Sequence, residues 1–181
     1  MAETYTLLHD AYYGDGQFKQ GGALVRHTRE SWENFAKRKK LAYYLNYTGP
    51  IVNASVDPIF RNEIKREYND TAKFKVFLDD ADRTGTDLQN YIRRLAVMAK
   101  LYGAIYIVVN NEAEIGATVQ DSLNKRALPY LVHVLPSEVT HWHFDERGRM
   151  VEFGYKSSVK DAEDKTRTRY YTWSETVWTV A

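Results

Sequence analysis

Two histidines, His141 and His143, sit two residues apart in a stretch whose apolar period is close to two. On a strand that spacing puts both imidazoles on one face. With His133 in a neighbouring strand they make the chain's best case for a metal-dependent hydrolase. Zinc needs three or four ligands, and groups behind them to orient the rings. The chain has no cysteine, and spacing places no third ligand, so no metal is expected. A second candidate is Asp80-Ala81-Asp82-Arg83-Thr84-Gly85, with acids at positions one and three of a calcium-type loop and glycine at six. Position twelve, where a glutamate should close the cage, is Tyr91. Asp79, Asp80, Asp82 and Asp87 serve more simply as negative charge at the start of a helix. The third candidate is the basic run Lys37, Arg38, Lys39 and Lys40, preceded by Arg26 and Arg29 and followed by Tyr43, Tyr44 and Tyr47. Cations beside aromatic rings can follow a phosphate backbone and stack bases. That makes a nucleic-acid-binding module the alternative reading. Glu30 and Glu33 offset part of this charge, as on a solvated helix face.

Signals for catalysis are otherwise missing. Gly14-x-Gly16 has no strand before it and no helix after it, so it is not a phosphate loop. There is no Gly-x-Ser-x-Gly elbow. No two acids are spaced for general acid and base roles. The expectation is a protein that is not an enzyme and needs no cofactor.

Composition narrows the class. The 181 residues are 44% hydrophobic, 27% charged and carry a net charge of +1. This suits one domain with a filled core and gives no overall charge for gripping nucleic acid. Lack of cysteine rules out a disulfide framework and fits a reducing compartment. Aromatics reach 14%, with 14 Tyr and 4 Trp, an excess that suits sheet faces and subunit contacts. No apolar run approaches the roughly 20 residues a bilayer span needs, and the first ten residues do not resemble a signal peptide.

Several elements must position these residues. Residues 1–27, broken by Gly14, Gly16, Gly21 and Gly22, read as a mobile N-terminal arm. Residues 28–181 read as a single α+β domain, N-terminal helices packed against a mostly antiparallel β-meander in the second half. Thr28 is a plausible cap for a helix over 28–47 carrying Trp32, Phe35 and Ala36 on one face. A second helix follows Gly49-Pro50 to about residue 68, with a kink or break at Pro58. Residues 71–78 alternate like a short strand. The stripe Leu88, Tyr91, Ile92, Leu95, Ala99, Tyr102 fixes a helix over 87–102, with Thr86 and Gln89 as a capping box and Gly103 just past its end. Strands follow over 104–109, 130–135, 139–144, 149–155, 167–173 and 176–180, with a turn at Asp145-Glu146-Arg147-Gly148. The last strand-like run suggests an ordered piece of a longer chain.

Three stretches in this order resemble the N-terminal wing of tailed-bacteriophage or prophage portal proteins. One is the aromatic helical region from Trp32 through Tyr47 with Pro50-Ile51-Val52-Asn53. The second is Leu88 through Tyr102, then Gly103-Ala104-Ile105-Tyr106, a long helix stepping through glycine into a strand. The third runs from Pro129-Tyr130 through Leu135-Pro136-Ser137-Glu138-Val139 to Trp142 and the Asp145-to-Gly148 hairpin. The resemblance implies a structural subunit of a homo-oligomeric ring, twelve-fold in that family, at the capsid vertex of the virion. It also implies assembly in the host cytoplasm. Double-stranded DNA passes through such a ring during packaging and ejection. Terminase and head-completion or head–tail connector proteins dock on it, and no membrane is involved. The family's channel helix, clip and crown are expected beyond residue 181. A channel that lets DNA slide should not hold phosphates tightly, which fits a nearly neutral wing. Trp32, Tyr43, Tyr44, Trp142 and Trp173 are the candidates for the contact between subunits. Lys37, Arg38, Lys39 and Lys40 are the candidates for facing nucleic acid.

Overall fold

A computed structural model describes residues 2–68, 72–111, 118, 121, 127–160, 164–175 and 178–181. The described residues form helices α1 (Ala2–Tyr13), α2 (Trp32–Leu41), α3 (Thr48–Val56), α4 (Ala72–Asp79) and α5 (Leu88–Tyr102), with a 3-10 turn at Gly16–Gly21. Six strands follow: β1 (Tyr106–Asn110), β2 (Tyr130–Val134), β3 (Val139–Phe144), β4 (Met150–Lys160), β5 (Thr166–Ser174) and β6 (Trp178–Val180). The fold is α+β. β3-β4-β5-β6 form an antiparallel meander, and β1 and β2 pair apart from it as an antiparallel ribbon.

Helix α5 organises the helical half. Asp87 caps it by accepting the Asn90 N–H at 3.0 Å, and Gly103 ends it at φ 82°, the left-handed conformation that glycine tolerates. The cap is therefore one residue past the expected Thr86. Leu88, Tyr91 and Leu95, three and four residues apart, are buried with Ala81, and Phe77, Leu78, Ile92, Met98, Ile105 and Leu131 close around them.

Four expectations change. Helix α2 starts at Trp32 behind Ser31, which accepts the Asn34 N–H at 3.2 Å, rather than at Thr28. The guanidinium of Arg26 holds the carbonyls of His27, Thr28 and Glu30 in a turn, so Thr28 is not free to start a helix. Helix α2 also stops at Leu41: Ala42 is extended at ψ 140°, and residues 42–46 lie outside any helix before Tyr47 returns to helical dihedrals. Helix α3 ends at Val56, the break expected at Pro58, and the chain does not resume a helix on the way to residue 68. Residues 72–79 are helical, not a strand. Phe74, Phe77 and Leu78 also satisfy three-four spacing, and burying Phe77 and Leu78 against α5 selects that period.

The segment expected as an arm carries α1 and the 3-10 turn; Phe18 of the turn packs on the Tyr44 ring at 4.6 Å, and α1 is bonded to later residues. The Tyr12 hydroxyl donates to Asn53 at 2.9 Å, Asn46 donates to the Tyr12 carbonyl at 2.6 Å, and Tyr44 donates to the Ala11 carbonyl at 3.0 Å.

The ribbon joins the two halves. Residues alternate across it, so Leu131 and His133 face α5, while Tyr106, Val108 and Val134 face the meander. There they meet Phe153, Tyr155, Met150 and Tyr171 in a second core. Offset and tilted ring pairs build it: Tyr106–Phe153 at 5.2 Å and Tyr155–Tyr171 at 4.8 Å between centroids. The turn of the β3–β4 hairpin is the expected one, with Gly148 at φ 75° and its N–H donating to the Asp145 carbonyl at 2.9 Å. Strand β3 is bulged twice, between Val139 and His141 and between His143 and Phe144.

Candidate functional site

The acidic loop before α5 is a finished structural unit. Asp82 accepts the N–H groups of Thr84 at 3.0 Å and Thr86 at 3.3 Å, and the Arg94 guanidinium at 3.3 Å. Burial pushes its pKa up, but the hydrogen bonds from Thr84 and Thr86 outweigh burial and hold it at about 2. Asp80 accepts the Gly85 N–H at 3.0 Å, and Arg83 reaches φ 63° to close the turn. These carboxylates fold the loop around its own N–H groups.

The histidines part company. His133, on the helix-facing side of the ribbon, has Nδ1 3.5 Å from the Tyr91 hydroxyl. Burial lowers its pKa, and the nearby Arg94 lowers it further. His141 and His143 lie on β3, where the first bulge sets His141 opposite Gly154. The ring of His141 lies over Gly154 so closely that a Cβ there would sit 2.1 Å from it. Its Nε2 is 3.5 Å from Glu152. Among the described residues no three His, Asp or Glu side chains gather as a metal site.

The basic run sits on the exposed last turns of α2, where positive charge complements the helix dipole. Lys37 pairs with Glu33 at 2.8 Å, and Arg38 grips Glu30 through two bonds at 2.9 and 2.7 Å while also donating to the Val25 carbonyl at 3.1 Å. Lys39 lies 5.9 Å from the Phe35 ring. Two of the four cations are thus committed to carboxylates of their own chain.

The aromatic candidates fall in two places. Trp32 and Tyr43 are exposed at the helical end, Trp32 under the Arg26 guanidinium at 4.4 Å. Tyr44 is half-buried, and its hydroxyl also lies 3.3 Å from Thr48. Trp142 and Trp173 are exposed on the meander, Trp142 stacked on Tyr106 at 6.2 Å.

Two surfaces escaped sequence reasoning. One is the strap 42–47, read in sequence as helix. Leu41, Tyr43, Leu45 and Tyr47 point outward with 81%, 80%, 59% and 67% of their area exposed, while Ala42, Tyr44 and Asn46 turn inward. The alternating apolar residues were the available signal. The other is an open groove of about 550 Å³ between β1 and the meander residues Met150, Phe153 and Trp173. No spacing rule announces it, because it forms where two sheets meet.

No helix among the described residues is long and apolar enough to cross a membrane. No protein-family model matches the chain, and no curated protein matches it.

Proposed function

We propose that this chain is a wall subunit of a portal-type ring, a structural protein of a phage or prophage capsid vertex through which DNA passes. It would dock terminase and head-completion proteins and perform no covalent chemistry. The order of elements supports the reading: a long helix, a glycine step into a strand, and a hairpin with an Asp-to-Gly turn, as in the resemblance described above. The observation that carries it is the pair of apolar surfaces left open among the described residues on different elements, the strap 42–47 and the β1 groove with Trp173. Exposed apolar patches of that kind mark association surfaces. Two unlike patches on one chain favour head-to-tail contacts, which close into rings when the rotation allows. Asp82 and His133, two of the ionisable groups with shifted pKa values, are engaged with neighbours inside the fold.

Negative-stain electron microscopy of the full reading frame tests this. Closed rings are the expected outcome, and a protein that stays monomeric at high concentration overturns it. The nucleic-acid alternative makes a separate prediction. If Lys39 and Lys40 formed a grip, low-salt DNA binding would be strong and would vanish with Lys39→Glu plus Lys40→Glu. The ring reading expects little binding and little change.

A further inference from the structure

We propose that the strap 42–47 of one copy adds as a strand to the free edge of β1 in a neighbouring copy. The proposal rests on the ring reading and names the contact that would hold neighbours together.

Both surfaces are half of the same interaction. The strap leaves α2 extended at Ala42 and its side chains alternate in and out through Asn46 as on a strand, and among the described residues neither Tyr43 nor Leu45 makes a backbone hydrogen bond. In an extended chain the N–H and C=O of one residue point to the same edge, so these two residues offer a short hydrogen-bonding row. Strand β1 has five residues and pairs only with β2 among the described residues. Its other edge has no partner strand among the described residues, and an edge of that kind can recruit a strand from another chain.

The side chains agree with the backbone. Ile107 and Val109 on β1 are 51% and 68% exposed. They also line the groove, together with Tyr106, Val108, Met150, Phe153 and Trp173. A strand laid along β1 would direct Tyr43 and Leu45 to one face of the enlarged sheet and leave Tyr44 and Asn46 on the other, still bonded to α1. The donor copy therefore need not unfold to donate. The five-residue length of β1, about 17 Å at 3.3–3.4 Å per residue, is matched by 42–46.

Area favours a second copy as the occupant. A large aromatic buries roughly 150–250 Å², so Tyr43 and Tyr47 supply roughly half of the approximately 800 Å² per partner that a stable interface needs, and the exposed Leu41 and Leu45 add to it. Strand β3, also at a sheet edge, is the poorer acceptor, because its two bulges break the row of backbone groups. The contact is heterologous, since strap meets β1 rather than strap, so it propagates from copy to copy.

The lack of cysteine makes the test clean. Leu45→Cys protein and Ile107→Cys protein are prepared separately, mixed, and treated with a short bismaleimide. Covalent dimers should appear in the mixture and be at least ten-fold weaker in either protein alone. Hydrogen exchange on the unmodified protein should slow at both 42–47 and 106–110 as concentration rises. Linking of Leu45→Cys to itself, protection confined to other segments, or an unchanging monomer overturns the proposal. Rings without this link overturn the contact and leave the ring reading standing. The link in open filaments keeps the contact and removes the ring.

Discussion

Asp82 is the side chain whose charge matters most to its surroundings. Its pKa of about 2, against an ordinary 3.8, means the folded state holds a carboxylate that the unfolded chain would protonate first. The stability it contributes is present above about pH 4 and is lost as pH falls towards 2. Asp82→Asn should cost about 1–3 kcal/mol at neutral pH, because the N–H groups of Thr84 and Thr86 lose a charged acceptor. Urea unfolding at pH 7 and pH 3 would show that penalty shrinking in acid. His133 has the opposite chemistry. Its lowered pKa means the unfolded chain takes up the proton first, so stability should fall as pH drops below about 6.5. The groups around it are Tyr91 and Arg94 on α5, Asp82 on the loop and Glu138 after β2. Thermal melts from pH 8 to pH 5.5 should slope for the wild type, and the slope should flatten in His133→Gln.

At the scale of elements, what could be read in advance was whatever local chemistry decided alone. Helix α5 announces itself because its stripe, its cap region and Gly103 agree. The hairpin does so because Asp145 and Gly148 allow one turn. Helix α4 was hidden because Phe74, Val76, Phe77 and Leu78 satisfy both periods, and only the presence of α5 chooses between them. The strap was hidden because 42–47 follows a good helix, and its non-helical form depends on Tyr44 and Asn46 bonding to α1. The candidate association surfaces were legible as aromatic residues but not as places, since their neighbours come from distant parts of the chain. Gly21 tests how α2 is held. It sits at φ 67°, and a Cβ there would lie 2.8 Å from the Lys39 carbonyl. Gly21→Ala should cost about 1–3 kcal/mol through strain and a displaced α2. Proteolysis should then speed up within 22–41 before it does in the meander.

At the scale of the whole molecule, the described residues form two apolar cores and one ribbon that serves both. Leu131 enters the core under α5, and Val134, almost fully buried, enters the core with Phe153 and Tyr155. The Leu131 N–H also donates to the Ala81 carbonyl at 2.8 Å, tying the ribbon to the loop before α5. Val134→Ala should cost about 2 kcal/mol. Because the ribbon is shared, far-UV and near-UV signals should still lose structure in one transition. Two separate transitions would mean that the cores are independent.

The ribbon also sets an order of events. Nineteen residues separate Asn110 from Tyr130, whereas five separate Phe144 from Met150. Closing the longer loop costs more chain entropy, so the β3–β4 hairpin can zip early on its own while β1 waits for β2. When that pairing arrives it gives both cores their missing wall together. Helical half and meander would then reach the native state through a shared last step, and a slip in ribbon register would stall them both.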